Sequence, residues 1–134
     1  MLNQFTRSEI ILGSNAMKVL EKSHVAVFGI GGVGSFAVEA LVRCGIGKVA
    51  LFDDDKICLT NLNRQIIATR KTIGKNKVDV MKERILEINP SACVEAHKCF
   101  YSGDNAHDFD FSKYDYIVDA IDTVSSKLIL IEHA

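Results

Sequence analysis

The sequence predicts an α/β domain, a mainly parallel sheet with helices on both faces. Three observations carry that expectation. Two short runs, Val25–Ile30 and Lys48–Phe52, are apolar without polar alternation, the pattern of strands buried on both faces. Between them Val33–Cys44 is apolar almost all round, as a buried helix would be. Four glycines, Gly29, Gly31, Gly32 and Gly34, sit where the first run meets that helix. Strands alternating with helices imply parallel pairing through crossover connections.

The elements follow in order. Ser8–Lys22 reads as one helix, with Ile11, Leu12, Ala16, Val19 and Leu20 on one side. The first strand, the glycines and the second helix come next. Gly45 and Gly47 close that helix, and Gly45 suits a left-handed cap. Lys48–Phe52 ends in Asp53-Asp54-Asp55. Lys56–Ile73 has no clean period and reads as a long loop with a short helical turn. Gly74–Asn89 is an amphipathic helix with Val78, Met81, Ile85 and Ile88 on one face, stopped by Pro90. Ala92–Phe100 is a strand, Tyr101–Ser112 is polar and turn-like, Tyr114–Ala120 is a strand, and a helix begins near Val124. Ligands of such sheets bind beyond the carboxyl ends of the strands, where the motifs below fall.

Composition narrows the class. The 134 residues suit one domain or part of one, with 48% hydrophobic and 25% charged residues. A formal net charge of -1 gives no overall basic field that would by itself predict nucleic-acid binding. The four cysteines, Cys44, Cys58, Cys93 and Cys99, form no C-x-x-C pair and read as reduced thiols of a cytoplasmic protein. No apolar run approaches a membrane span, and no secretion signal is visible. The chain stops at Ala134 inside a helical pattern, so a fragment of a longer protein is expected.

The first motif is Gly29-Ile30-Gly31-Gly32-Val33-Gly34-Ser35, between a strand and a helix. That is the setting of a phosphate-binding loop, in which glycines let the backbone approach a phosphate at a helix N-terminus. The plainer alternative, a tight turn without ligand, needs fewer glycines. The motif does not say which nucleotide. Asp53, at the next strand end, is placed to accept hydrogen bonds from ribose hydroxyls, whereas Asp54 and Asp55 better fit a solvated turn.

Asn61-Leu62-Asn63-Arg64-Gln65 and Lys77 lie at opposite ends of the long connection. A triphosphate needs such cations and a dinucleotide does not. From spacing alone either is an ordinary surface cation. Asp119-Ala120-Ile121-Asp122 lies at the end of the last strand, where Asp119 caps a turn or faces the sheet. Asp122 is the candidate Mg²⁺ ligand, or equally the acid at the start of the next helix. Cys93, His97 and Cys99 share a strand face but lack a metal-site spacing. Arg64, Arg70, Lys71, Lys75, Lys77, Lys82 and Arg84 make a locally basic stretch, interleaved with Asp79 and Glu83. It suits helix-surface pairing in part, and a polyanion such as RNA.

Taken together, the glycine loop with Ser35, Asp53, Asn61-x-x-Arg64-Gln65, Lys77 and Asp122 resembles the ubiquitin-activating-enzyme-like superfamily of adenylating enzymes, nearly along the whole chain. Phe28–Ser35, Arg43–Gly47, Thr60–Ile66, Met81–Ile85, Ile88–Pro90 and Asp119–Asp122 resemble most its tRNA threonylcarbamoyladenosine dehydratase branch. The resemblance implies a Rossmann-like fold and an ATP-binding adenylation domain over residues 1–134, the N-terminal portion of a longer family domain. It implies that Gly29, Gly31, Gly32, Gly34 and Ser35 hold phosphates, Asp53 the ribose, Asn61, Arg64 and Lys77 the triphosphate, and Asp122 Mg²⁺. Arg7, in Phe5-Thr6-Arg7, matches an arginine that reaches the partner subunit's site, which implies a homodimer. The implied reaction turns a carboxylate into an acyl adenylate, in this branch that of threonylcarbamoyladenosine in tRNA. Ring closure follows with net loss of water.

Three other functions compete. An adenylyltransferase for the C-terminal glycine of a small sulfur-carrier protein shares the chemistry but has a protein partner. An NAD-dependent oxidoreductase would use the glycine loop and Asp53 but leave Arg64, Lys77 and Asp122 idle. A non-catalytic nucleotide-binding module would bind without consuming ATP, as a truncated chain could.

Overall fold

The structure is a computed structural model that describes residues 2–134. Four parallel strands, β1 (His24–Phe28), β2 (Lys48–Phe52), β3 (Cys93–His97) and β4 (Tyr116–Asp119), lie in the order β3-β2-β1-β4. Strand order reverses between β1 and β4, because β3 extends one edge and the chain then crosses back to the other. Five helices accompany them: α1 (Thr6–Leu12), α2 (Ser14–Lys22), α3 (Gly34–Cys44), α4 (Lys77–Ile88) and α5 (Val124–His133).

Strand parity builds two cores. Val25, Val27, Val49 and Leu51 face α3 and α4, meeting Val38, Val42, Met81 and Ile85. Ala26, Phe28, Ala50 and Phe52 face the other way, toward Tyr101 and Leu130 of α5. The expected doubly wound α/β architecture is therefore present.

Several local expectations differ. The first helix is two, because Gly13 takes φ 86° and ψ 158° and its N–H closes α1 on the carbonyl of Glu9. β1 ends at Phe28, because Gly29 turns at φ 95°. α3 is buried on one face only, with Val33, just before its first turn, and Phe36 exposed. The segment after β3, expected to be polar and turn-like, instead inserts Tyr101, 2% exposed, among Phe28, Phe109 and Phe111. The long loop does contain its short helical turn, Leu59–Asn61. Gly45 is left-handed as expected (φ 108°).

α3 buries a charge that its apolar sequence hid. Glu39 accepts bonds from Arg84 Nη2 of α4 at 3.0 Å and from Arg43 Nε at 2.9 Å. A paired carboxylate costs far less to bury than a lone one. Hydrogen bonding from Arg84 holds the Glu39 carboxyl below the usual range, against the opposing pull of burial. Stability from this group is full above the ordinary glutamate pKa, about 4.3, and is lost as pH falls through the lower folded value. Glu39→Gln is expected to cost about 1–2 kcal/mol at pH 7, reduced from a fully buried pair because solvent screens the partly exposed Arg84. Urea unfolding at pH 7 and pH 3 checks this, since the deficit should shrink at pH 3; an undiminished deficit refutes the assignment.

Candidate functional site

A cleft of about 440 Å³ opens beyond the carboxyl ends of β1, β2 and β4, at the point where strand order reverses. The glycine loop forms one wall and Asp53–Asp55 another. Lys77 and Asp122 also line it, and Phe28, Phe52, Phe100 and Tyr101 give it an apolar side.

The four glycines divide into two pairs. A Cβ on Gly29 would lie 2.3 Å from the carbonyl oxygen of Ala120, and one on Gly34 would lie 1.7 Å from that of Gly29. These two glycines permit backbone packing. A Cβ on Gly31 or Gly32 would meet nothing closer than 3.5 Å. The fold therefore does not need glycine at 31 or 32, and what these positions keep clear is the cleft they line. Ser35 is fully buried and turns its hydroxyl to the carbonyl of Gly31, so it braces the loop from behind.

Asp53 latches the loop to β2. Its Oδ2 accepts from the Ile30 N–H at 2.7 Å and its Oδ1 from the Asp55 N–H at 2.8 Å. All three aspartates line the cleft: Asp54 and Asp55, expected only in a solvated turn, are exposed and border the cleft as well, and the three carboxylates offer oxygens within 4.8 Å of one another. The Lys77 side chain is 7% exposed, and Asp55 Oδ2, at 3.7 Å, is its ion-pair partner. An ammonium so buried and so loosely paired favours an anion beside it.

Asp119 and Asp122 separate clearly. Lys127 holds Asp119 at 2.9 Å, and the Ile121 N–H bonds to it. Asp122 is exposed in the cleft, and α5 is capped at Thr123 with no side-chain bond and no acid in its first turn. The alternative of Asp122 as a helix-start acid is not realised.

Other expected site residues stand outside the cleft lining. Asn61 is buried and its Oδ1 accepts from the Cys58 N–H at 2.9 Å, which shapes the turn. The Arg64 guanidinium donates to Thr60 O and Asn63 Oδ1, both at 2.9 Å, while its Cγ lies beside Gly32. Arg7 is exposed on α1, and the neighbouring Phe5 packs near Gly45, toward the amino ends of the strands. Arg7 does not line the cleft.

Some lining residues were not legible as site residues. Tyr101 and Phe100 sat in a stretch read as strand end and polar turn. Cys99 also lines the cleft; burial pushes its thiol up, aided by Asp54 and Asp53, so it stays protonated. Gln65, in the Asn61–Gln65 motif but given no role, is 6% exposed; its Nε2 lies on the Gly31 side and its Oε1 has no hydrogen-bond partner. His97 stacks on Phe52 at 4.7 Å rather than joining the cysteines.

The fold and cleft define a doubly wound α/β domain with a glycine loop at its switch point. The chain belongs to the ThiF family, whose model matches residues 4–134. It is 46% identical over 132 residues to a tRNA threonylcarbamoyladenosine dehydratase of Bacillus subtilis, covering 98% of this chain and 52% of that protein. The crystal structure of the Escherichia coli tRNA N6-threonylcarbamoyladenosine dehydratase in complex with ATP superposes with TM-score 0.93 at 44% identity, covering 96% of this chain and 53% of that one. At lower identity, 35% over 111 residues, stands an adenylyltransferase and sulfurtransferase of Debaryomyces hansenii, covering 83% of this chain and 25% of that protein. The chain thus spans about half the length of these two dehydratases. No described helix is long and apolar enough to cross a membrane.

The glycine pairs make a prediction. Gly34→Ala should cost at least about 3 kcal/mol through backbone overlap. Gly32→Ala should change stability by less than about 1 kcal/mol, because a Cβ there meets nothing closer than 3.5 Å. Urea unfolding of both variants checks this, and a loss in Gly32→Ala as large as in Gly34→Ala would sink the division.

Proposed function

We propose that the chain binds ATP in this cleft and serves the activation of a carboxylate as an acyl adenylate. The carrying observation is the buried Lys77 ammonium, loosely paired, in a cleft bordered by two glycines the fold does not require. Gly31 and Gly32 would admit the phosphates at the N-terminus of α3, with Gly29, Gly34 and Ser35 holding the loop's shape. Asp53 would receive the ribose, and the apolar side of the cleft suits the base. Asn61 would act by fixing the turn that carries Arg64.

The acceptor we propose is the threonyl carboxylate of threonylcarbamoyladenosine in tRNA, as the names of the similar dehydratases suggest. A carboxylate oxygen attacks the α-phosphorus of ATP, and the bond to pyrophosphate breaks. Ring closure within the modified nucleoside then expels AMP, with net loss of water. Lys77 and Arg64 would stabilise charge on the α-phosphate and the leaving pyrophosphate. The Asp122 carboxylate fits a hard divalent cation, being exposed in the cleft and outside every ion pair of the described residues. Magnesium there would offset phosphate charge. Arg7 is exposed on α1 and absent from the cleft lining, beside Phe5 at the amino ends of the strands, which supports a homodimer in which it serves the partner's cleft. The cytoplasm is the compartment we propose, where the four free cysteines would stay reduced.

A second reading keeps the chemistry and changes the acceptor to the C-terminal glycine of a sulfur-carrier protein, supported by the similarity to the Debaryomyces protein.

Pyrophosphate release from Mg-ATP tests both. Release with tRNA carrying threonylcarbamoyladenosine, and not with unmodified tRNA, is the expected result. Release only with a sulfur-carrier protein selects the second reading. Arg64→Ala, Lys77→Ala and Asp122→Ala are each expected to lower the rate by about 10²–10³ with the fold intact, and wild-type rates in these variants would remove the assigned roles.

A further inference from the structure

Charge is distributed very unevenly along this chain. Residues 56–78 hold six of the 16 lysines and arginines and none of the 17 acidic residues, so this segment carries +6 and the remainder -7. Lys77 is buried in the cleft and Arg64 lies against the glycine loop. The other four, Lys56, Arg70, Lys71 and Lys75, are exposed, and none takes part in an ion pair among the described residues.

The loop that presents them is built, not loose. Its ends pair through an antiparallel bridge between Lys56 and Asn76, with Ile57 N–H bonded to Lys75 O and Gly74 N–H to Ile57 O. Thr72 Oγ1 accepts from the Thr69 N–H at 2.8 Å and donates to Ile67 O at 2.7 Å, fixing the turn that carries Arg70 and Lys71. Ile57, Ile67 and Ala68 anchor it in the core. Asp79 and Glu83 bound the patch on the side of α4, next to Lys56 and Lys75.

We propose that this loop is the docking surface for the phosphate backbone of a folded RNA, the tRNA that the function proposed above requires. The inference rests on that reading for the identity of the RNA. Phosphate contacts need spaced, unpaired cations and no apolar anchor. A protein interface needs a buried apolar or aromatic centre. Residues 56–78 expose two large apolar side chains, Leu59 at 60% and Ile73 at 39%, against those four exposed cations, which is too little for a buried apolar centre, so an acidic protein is the poorer occupant. The negative remainder repels a polyanion and would orient it onto the loop, from which Arg64 leads toward the cleft.

The test compares the wild-type chain with the triple variant Arg70→Ala, Lys71→Ala, Lys75→Ala, using tRNA with and without threonylcarbamoyladenosine. Binding is measured between 50 and 200 mM salt, roughly the range over which phosphate contacts reveal themselves. Three contacts predict a log–log slope of about -2 to -3. The triple variant should bind at least about tenfold more weakly at the lower salt, with a slope flatter by about two. Both tRNAs should behave alike, because the backbone is what is read. Mg-ATP affinity and the urea midpoint should be unchanged, since all three side chains are exposed.

Unchanged tRNA affinity and slope in the variant overturn the proposal. So does polyglutamate that displaces the chain as effectively as tRNA of equal charge, which would point to an acidic protein instead. Loop-dependent tRNA binding without pyrophosphate release supports the docking surface while defeating the dehydratase reading. Release with an unchanged KM for tRNA in the variant does the reverse.

Discussion

The end of β1 and the end of β4 approach so closely that no side chain fits between them. Gly29 N–H bonds to Phe52 O at 2.9 Å and Ala120 N–H to Phe28 O at 2.8 Å, so β2, β1 and β4 stay zipped to their last residues. The carbonyl of Ala120 then occupies the space a Cβ of Gly29 would need, and Gly34 packs its own backbone on Gly29. The loop between them has to rise out of the sheet and re-enter as α3. That excursion carries Gly31 and Gly32 to the cleft, and Asp53 pins it through the Ile30 N–H. The cleft is a consequence of this packing: the strands cannot spread without losing it, and the loop cannot collapse while Asp53 holds it.

A second link fixes the other side. Lys77 begins α4, and its N–H bonds to Asp55 O at 3.1 Å. The Glu39–Arg84 pair ties α4 to α3 farther along. The glycine loop and the Lys77 ammonium thus belong to the starts of two helices joined by one bidentate ion pair. Buried ion pairs add little net stability, but they penalise any other helix register, because a slip would strand a charge. A site proposed to meet phosphates from two sides would gain more from such register than from extra hydrophobic area.

The sequence made the glycine loop legible because only backbone demands select four glycines in six residues. It could not say which glycine does what. Gly29 and Gly34 are set by contacts with Ala120 and with each other, which no local pattern carries. Asp53 was legible by its place at a strand end, but its bond to Ile30 depends on how β1 and β2 pair. Gly13 broke a helix that apolar spacing had run together, since spacing ignores where φ turns positive. Glu39 was hidden because burial of a charge depends on a partner 45 positions away. Tyr101 was hidden by its polar neighbours, although one aromatic side chain among Phe28, Phe109 and Phe111 sets where that segment lies.

Arg64 sits at the boundary between the basic loop and the cleft, and its contacts say how it would cross. Its Cγ rests beside Gly32, while its guanidinium is turned to two neutral acceptors, Thr60 O and Asn63 Oδ1. Hydrogen bonds to neutral groups contribute about 0.5–1.5 kcal/mol each, and those to charged groups about 1.5–3. A phosphate in the cleft would therefore outcompete the present partners without moving the backbone, since Arg64 N–H stays bonded to Asn61 O at 3.2 Å. Asn61 keeps that turn in place through Cys58, so only the side chain has to rotate. On the proposed reading Lys77 would be the fixed cation of the site and Arg64 the one whose side chain turns in. That division would suit a reaction in which charge shifts from a bound triphosphate to a departing pyrophosphate.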